Sequence, residues 1–292
     1  MRFVRAYIVS MKTRLQAALV LLVLGLAASE AQDRSKAEPD SFDVPLEKKT
    51  LDFGPSWDKP SASAPAWQWN AYRRARNKLS CYWFPTVMVK QYDISQKGAV
   101  WVSFLRLAEN AHPECRRSHL PGEKVFEESN WEGYFFGVKE GFVFLTDADG
   151  FSGGIGFAVY DSRTGEKVFE DTDCLTCMYL KKMYGVEQLS APFDRMRIVN
   201  APNGGVMLKY MRVEQADCDV RADKASCWDH VRMKLDAKNP NPPVCFGYEA
   251  VGYEKYAVGE LSSMVAHPVL VSLQSSPVVK NIDVPVLCWA PN

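Results

Sequence analysis

Short runs of aromatic and β-branched residues, separated by turn residues, dominate the chain after residue 80. Such runs are typical of β-strands, because these side chains fit a pleated and half-buried surface. The sequence predicts strands at Thr86–Tyr92, Ala99–Leu107, Gly133–Val138, Phe142–Thr146, Gly156–Tyr160, Lys167–Glu170, Arg195–Asn200, Val206–Val213, His230–Leu235, His267–Leu273 and Val284–Trp289. Helical periods are few, so residues 64–292 are expected to form an all-β domain.

The segment from residue 65 to residue 79 has a different pattern. Its aromatic residues interleave with basic ones, and Pro65 suits the start of a helix, so the sequence predicts a short amphipathic helix. This helix offers a candidate binding surface for an anionic partner such as envelope lipid or polysaccharide. The candidate residues are Trp67, Trp69, Arg73, Arg74 and Arg76. An ordinary solvated face, with the aromatic rings packed inward, is the alternative.

The first 31 residues have the order of a cleavable secretory signal peptide. Basic residues precede an apolar stretch at residues 15–28, and small residues follow it, so Gln32 is the expected first mature residue. Both candidate starts, Met1 and Met11, give the same mature protein. A membrane anchor is the alternative, but the apolar run of about 14 residues is shorter than the roughly 18 to 20 that span a bilayer.

Residues 32–63 are rich in Asp, Glu, Lys, Ser and Pro and have few apolar positions. Burial in such a segment does not offset the loss of chain entropy, so we expect a flexible leader. The predicted organisation is therefore a signal peptide at 1–31, a leader at 32–63 and a disulfide-stabilised β domain at 64–292.

The charge balance excludes one class of partner. The chain has 35 Lys and Arg and 35 Asp and Glu, and removal of residues 1–31 takes away four basic residues and one acidic residue. The 31 positive and 34 negative charges that remain do not favour nucleic acid, because affinity for phosphate backbones needs clustered cations. After residue 31, no stretch is long and apolar enough to be predicted as a transmembrane segment.

All the cysteines lie in the expected mature chain: Cys81, Cys115, Cys174, Cys177, Cys218, Cys227, Cys245 and Cys288. An even number in an exported chain predicts up to four disulfides and a periplasmic or secreted location. Cys218 and Cys227 flank a short polar segment and are expected to pair. Cys81 and Cys288 have similar Trp- and Pro-containing neighbourhoods, so we expect them to join the two ends of the folded part.

Cys174 and Cys177 form a Cys-x-x-Cys pair, a spacing that structural disulfides, redox dithiols and metal sites all use. The acidic neighbours Glu170, Asp171 and Asp173 would raise a thiol pKa, which disfavours a reactive thiolate. Because no second Cys-x-x-Cys is present to complete a four-thiolate zinc site, the sequence favours a structural disulfide.

Two further motifs contain metal-ligating residue types. His112 and His119 flank Cys115 in a polar segment, but Cys115 belongs to the even set of disulfide cysteines. Asp147 and Asp149 precede a glycine, as at the start of a calcium loop, but the fifth and twelfth positions are Phe and Ala. The sequence therefore predicts neither a metal site nor a cofactor.

Residues 131–171 hold closely spaced strands joined by tight turns, and Gly165 can take the positive φ that a short hairpin requires. The stretch Gly141–Asp171, about 40 residues with its flanks, resembles one blade of bacterial β-propeller proteins, in which a Thr-Gly pair closes the outer hairpin. This resemblance implies a propeller-like single domain, and a two-sheet β-sandwich is the alternative. The chain also resembles exported bacterial β-rich proteins, a likeness that implies no activity.

These patterns favour an exported, non-enzymatic binding domain for an unknown envelope or extracellular ligand. No H-E-x-x-H motif is present in the sequence. Two alternatives remain: a thiol-disulfide oxidoreductase that uses Cys174 and Cys177, and a hydrolase whose dispersed histidines and acids assemble on folding.

Overall fold

The computed structural model describes residues 41–95, 98–127, 133–151, 153–174, 177, 196–201, 205–222, 226–246, 262–274, 276–283 and 286–289. These ranges contain the strands β1 (Glu47–Pro55), β2 (Arg76–Trp83), β3 (Val87–Asp93), β4 (Trp101–Arg106), β5 (Lys124–Glu127), β6 (Gly133–Lys139), β7 (Phe142–Phe151), β8 (Gly154–Asp161), β9 (Lys167–Cys174), β10 (Arg197–Asn200), β11 (Val206–Gln215), β12 (Cys245–Phe246), β13 (Met264–Leu273), β14 (Val278–Asn281) and β15 (Leu287–Trp289). They also contain the helices α1 (Ala66–Arg74) and α2 (Ser226–Leu235). The expected signal peptide at 1–31 lies outside the described residues.

The strands form two sheets. The first is an antiparallel meander in the order β1-β2-β3-β4-β5. The second has the order β12-β15-β13-β11-β9-β8-β7-β6, with β10 added to β11 and β14 added to β13. All its pairings are antiparallel except the parallel pair β12 and β15.

The two sheets share a hydrophobic core. Val89 on β3 and Phe104 on β4 belong to the same buried cluster as Val143 and Leu145 on β7. The alternate β7 residues, with Phe144 at their centre, belong to a second cluster together with side chains of β8, β11 and β13. The first four residues of β7, which are all apolar, are therefore buried on both faces.

The structure confirms the all-β fold and does not support the propeller. Within the described ranges neither sheet closes on itself, and the four-stranded meander β6–β9 continues through β9 into β11 instead of forming a separate blade. The two-sheet alternative is compatible with this arrangement. The expected positive φ of Gly165 is confirmed, because this residue has a φ of 74° in the turn after β8.

Part of the expected leader is ordered into the sheets. The backbone N–H of Asp43 donates to the Val138 carbonyl at the β6 edge (2.8 Å), and residues 47–55 form β1. The ring of Phe42 fills the space beside Gly137, where a Cβ atom would lie 2.4 Å from it. Most side chains of β1 are exposed, so backbone hydrogen bonds hold this strand in the sheet. Its sequence lacks the hydrophobic alternation that would predict a strand.

Two segments have a different secondary structure from the one expected. The predicted helix at 65–79 ends at Arg74, and Arg76 already begins β2, whose residues Leu79, Cys81 and Trp83 are buried at the period of a strand. The predicted strand at 230–235 is wrong, because these residues belong to helix α2. Its buried residues Cys227, Trp228, Val231 and Leu235 have helical spacing. Neither described helix is long enough to span a bilayer.

The eight cysteines form four disulfides: Cys81–Cys115, Cys174–Cys177, Cys218–Cys227 and Cys245–Cys288. Cys218 pairs with Cys227, as the spacing predicts. The expected bond between Cys81 and Cys288 is wrong, because Cys81 lies on the first sheet and anchors the loop before β5, whereas Cys288 lies beside Cys245 on the parallel pair β12–β15. Four disulfides are typical of a domain that folds outside the cytoplasm.

Candidate functional site

An open cleft of about 590 Å³ lies where the two sheets meet, between the start of β5 and the turn that joins β8 to β9. The first sheet contributes the end of β4 and residues 122–126, and the second contributes residues 160–167. A cleft of this volume has the size of typical small-molecule sites. Its floor is aromatic and its rim is basic.

Three aromatic rings form the floor of the cleft. The centre of the Tyr160 ring lies 4.5 Å from that of Phe126 and 6.2 Å from that of Phe104. Phe104 and Phe126 are buried on adjacent strands, whereas Tyr160 is half-buried and lines the cleft. Burial raises the pKa of the Tyr160 hydroxyl, so the side chain is neutral at physiological pH. The floor thus offers aromatic surface, mainly that of Tyr160, with a single hydroxyl.

Four basic side chains line the rim of the cleft: Arg106, Lys124, Arg163 and Lys167. Lys167 pairs with Glu170, and Arg163 pairs with Asp161, whereas the side chains of Arg106 and Lys124 make no hydrogen bond or ion pair in the described part of the chain. Arg163 holds the pKa of Asp161 below its ordinary value. The rim is therefore positive on a chain whose expected mature form is slightly acidic.

The turn at residues 161–165 positions Arg163. The Asp161 carboxylate accepts a hydrogen bond from the Arg163 backbone N–H (2.8 Å), and the Gly165 N–H donates to the Asp161 carbonyl (2.8 Å). Gly165 has the positive φ that this tight connection requires. The Asp, Arg and Gly of this short sequence thereby bring a guanidinium to the cleft.

Known proteins offer no match to this chain. Comparison finds no matching family model, no similar curated protein and no similar solved structure. Function is therefore argued from the geometry alone.

A second candidate is a row of polar side chains across the second sheet. Asp173 on β9, Arg212 on β11 and His267 on β13 are cross-strand neighbours on one face. The Asp171 carboxylate accepts hydrogen bonds from the Tyr210 hydroxyl and from Arg212 Nε (2.6 Å). We call these five residues the polar row. They do not line the cleft between the sheets, so we expect the polar row to affect stability and not to contact ligand.

The polar row contains groups with displaced pKa values. Burial raises the pKa of Asp173 to about 6, and the neighbouring charge of Asp171 acts in the same direction. Burial lowers the pKa of His267 to about 4, although the neighbouring Asn281 side chain acts weakly in the opposite direction. At pH 7 His267 is therefore neutral, whereas Asp173 is mainly ionised and takes up a proton near pH 6.

The aromatic and basic surface predicted on the helix is only partly assembled. Trp67 is 65% exposed on α1, and Trp69 packs edge-to-face with Tyr72. Arg73 and Arg74 also lie on α1 and hydrogen-bond to Asn70. Arg76, in contrast, lies on β2 and pairs with Asp52 (2.9 Å). Residues of α1 do not line the cleft between the sheets.

The Cys-x-x-Cys pair is closed on itself, with both cysteines buried at the end of β9 and beyond it. The buried acid Asp173 precedes Cys174 directly. Residues 178–195, which follow the pair, lie outside the described residues.

The four histidines do not converge. His112 stacks on Trp83, His119 lies 3.4 Å from Glu123, and His230 lies 3.7 Å from Asp217, while His267 is buried in the polar row. The described residues contain no group of three or more His, Cys, Asp or Glu that could hold a metal ion. Asp147 and Asp149 lie in an irregular stretch of β7, and not in a turn.

The sequence did not point to the cleft. Its Thr-Gly turn is recognisable, but Arg106 and Tyr160 have no local motif, and only the packing of two sheets brings them together. The one part of the cleft that the sequence indicates is the Asp-Ser-Arg-Thr-Gly turn. Its short Asp side chain and its glycine predict a tight connection that exposes the Arg side chain.

Proposed function

We propose that this protein is an exported binding domain, periplasmic or secreted, that takes the ring of a saccharide into the cleft between its sheets. The observation that carries the proposal is the three-ring floor of Phe104, Phe126 and Tyr160. Aromatic rings provide large contact areas at little cost in side-chain entropy, and sugar rings present a flat apolar face to such a surface.

Binding and not catalysis is the better account of this cleft. Its acids are already engaged, since Asp161 pairs with Arg163 and Glu123 pairs with Lys90. Glu166 is exposed at the rim, so the cleft lacks two carboxylates placed to work as acid and base in the described residues.

Titration of the mature chain with cellobiose, followed by the backbone amide NMR spectrum, tests the proposal. We expect the amide signals of the residues that line the cleft to shift. The Tyr160→Leu variant keeps apolar volume but loses the aromatic ring, so it should bind cellobiose about tenfold more weakly. Tyr72→Leu, at a half-buried tyrosine of α1, is the matched control. Shifts confined to α1, or equal binding by both variants, would contradict the proposal.

Export is proposed from the first 31 residues and the four disulfides. The mass of the protein recovered from an expressing cell tests it, because cleavage gives a chain that begins at Gln32 and carries no free thiol. Intact precursor with reduced cysteines in the cytoplasm would overturn it.

Thiol-disulfide exchange remains a second candidate, because Cys174 pairs with Cys177 as that activity requires. A catalytic pair should have a reduction potential near −200 mV, whereas structural disulfides lie below about −300 mV. Equilibration with glutathione and mass spectrometry of this one bond separates the two cases. A potential below about −300 mV would remove this candidate.

A further inference from the structure

A second cleft of about 340 Å³ adjoins the first, and both are lined by Arg106 and Arg163. We propose that the place where they meet binds an oxyanion, so that the ligand is an acidic saccharide whose ring rests on Tyr160. This inference rests on the proposed function and names the ligand class. The residues concerned, here called the oxyanion junction, are Thr86, Arg106, Gly141, Ser162 and Arg163.

Ser162 is the unexpected group of the oxyanion junction. It is only 4% exposed, and its hydroxyl has no hydrogen-bond partner. Buried hydroxyls in folded proteins are nearly always paired, since an unpaired one loses the hydrogen bonds that water would supply. A ligand oxygen at this position would satisfy it.

Gly141 leaves space beside this hydroxyl. A Cβ atom on Gly141 would lie 3.4 Å from Ser162 Oγ and 3.9 Å from Thr86 Oγ1, distances of ordinary contact. Thr86 is an exposed residue that lines the second cleft. Because Gly141 has no side chain, nothing on this residue covers the two hydroxyls.

The cations supply the charge. The first sheet holds Arg106 next to Thr86, because the N–H of Leu107 donates to the Thr86 carbonyl (2.8 Å). Arg163 uses Nε and Nη2 for Asp161, which leaves its Nη1 donors for a ligand. Guanidinium groups bind carboxylate and phosphate through paired hydrogen bonds, so these donors favour an oxyanion.

The acids near the second cleft do not cancel this charge. Asp43 lines it, but its carboxylate lies 3.4 Å from Lys139 Nζ and accepts a hydrogen bond from the Glu140 N–H (2.7 Å). The Glu140 side chain is exposed. Asp161 pairs with Arg163 and also interacts with the charge of Arg106, so the two guanidinium groups exceed this carboxylate by one positive charge at the oxyanion junction.

Titrations with digalacturonate, cellobiose and inorganic phosphate test the inference on the mature chain. We expect phosphate and digalacturonate to shift the amides of Gly141 and Ser162, and digalacturonate to bind more tightly than cellobiose. Arg106→Gln should weaken digalacturonate binding about tenfold, as loss of a charge-assisted hydrogen bond does. Lys59→Gln, at an exposed lysine that lines neither cleft, should bind as the unchanged protein does.

Ser162→Ala separates a ligand-binding role from a structural one. Removal of an unpaired buried hydroxyl should leave the melting temperature of the free protein unchanged or higher, while digalacturonate binding weakens several-fold. A lower melting temperature with unchanged binding would overturn the inference, and so would phosphate shifts away from Gly141 and Ser162. If cellobiose binding depends on Tyr160 but digalacturonate binds no more tightly than cellobiose, the oxyanion junction is refuted and the proposed saccharide-binding function stands. If neither saccharide binds, the oxyanion junction and the proposed function are both refuted.

Discussion

Each sheet buries charged side chains, but the two sheets treat them differently. On the first sheet, Lys90 Nζ lies 2.8 Å from the Glu123 carboxylate, and both side chains are almost fully buried. Lys90 also donates to two backbone carbonyls of the loop before β5, and Glu123 accepts hydrogen bonds from the Ser103 hydroxyl and the Leu120 N–H. The pair is therefore fully hydrogen-bonded.

The polar row on the second sheet is incompletely paired. Neither ring nitrogen of His267 makes a hydrogen bond of normal geometry, although the side chain of Asn281 on neighbouring β14 lies close to it. Asp173 has a pKa displaced to about 6. Buried charged residues thus form a fixed anchor on one sheet and titratable groups on the other.

The comparison shows that buried charge alone does not indicate function. The Lys90–Glu123 pair ties the loop before β5 to the first sheet, and this loop carries Gly122 and Lys124 to the cleft. Burial opposes ionisation of Glu123, but its hydrogen bonds with Lys90 and Ser103 outweigh burial and lower its pKa. Unpaired groups, here His267 and Ser162, mark the places where the protein can respond to protons or ligand.

The largest expected effect comes from breaking the complete pair. Glu123→Leu leaves the Lys90 ammonium buried without its partner and should lower the free energy of unfolding by about 3 to 5 kcal/mol. The double variant Lys90→Met with Glu123→Leu should recover most of this loss, because no isolated charge remains. Urea denaturation of both variants measures the difference, and a single-variant loss below about 1 kcal/mol would contradict complete pairing.

The next effect concerns His267, whose pKa is lower in the folded protein than in the unfolded chain. Its contribution to stability is complete above pH 6.5 and is lost as the pH falls toward 4, because the unfolded chain binds the proton more readily. At pH 5 this loss amounts to about 2 kcal/mol. His267→Gln should remove that loss, measured as the free energy of unfolding at pH 5 and pH 7. An unchanged difference between the two pH values would show that His267 is not buried neutral.

Asp173 should act in the opposite direction. Its pKa is raised on folding from 3.8 to about 6, so its contribution to stability is present below pH 4 and is lost as the pH rises through 6. Asp173→Asn should therefore stabilise the protein by about 2 kcal/mol more at pH 8 than at pH 4. Unfolding at the two pH values checks this, and a gain that is equal at both would contradict it.

The smallest effect is expected where burial is absent. Helix α1 has no buried residue, and Trp67 is 65% exposed. Trp67→Ser should change the free energy of unfolding by less than about 0.5 kcal/mol. A larger loss in thermal unfolding would mean that α1 is covered by something that the described residues do not include.

Sequence patterns predicted what local periodicity controls. Strands such as β4, β11 and β13 have apolar or alternating residues and were expected close to their observed places, whereas β1 and β14 are largely exposed and gave no such signal. Helix α2 was mistaken for a strand because its short apolar run does not distinguish the two periods.

Sequence patterns did not predict the candidate site. Arg106 ends a strand of the first sheet and Arg163 lies in a turn of the second, and only the packing of the two sheets brings them together. The oxyanion junction depends further on an unpaired hydroxyl, which only side-chain packing reveals.

Intermolecular nuclear Overhauser effects between bound digalacturonate and the mature chain test the central claim most directly. The account predicts contacts from the sugar-ring protons to the Tyr160 ring, with the carboxylate end of the ligand next to Gly141. Contacts to Trp67 on α1 in their place would contradict it.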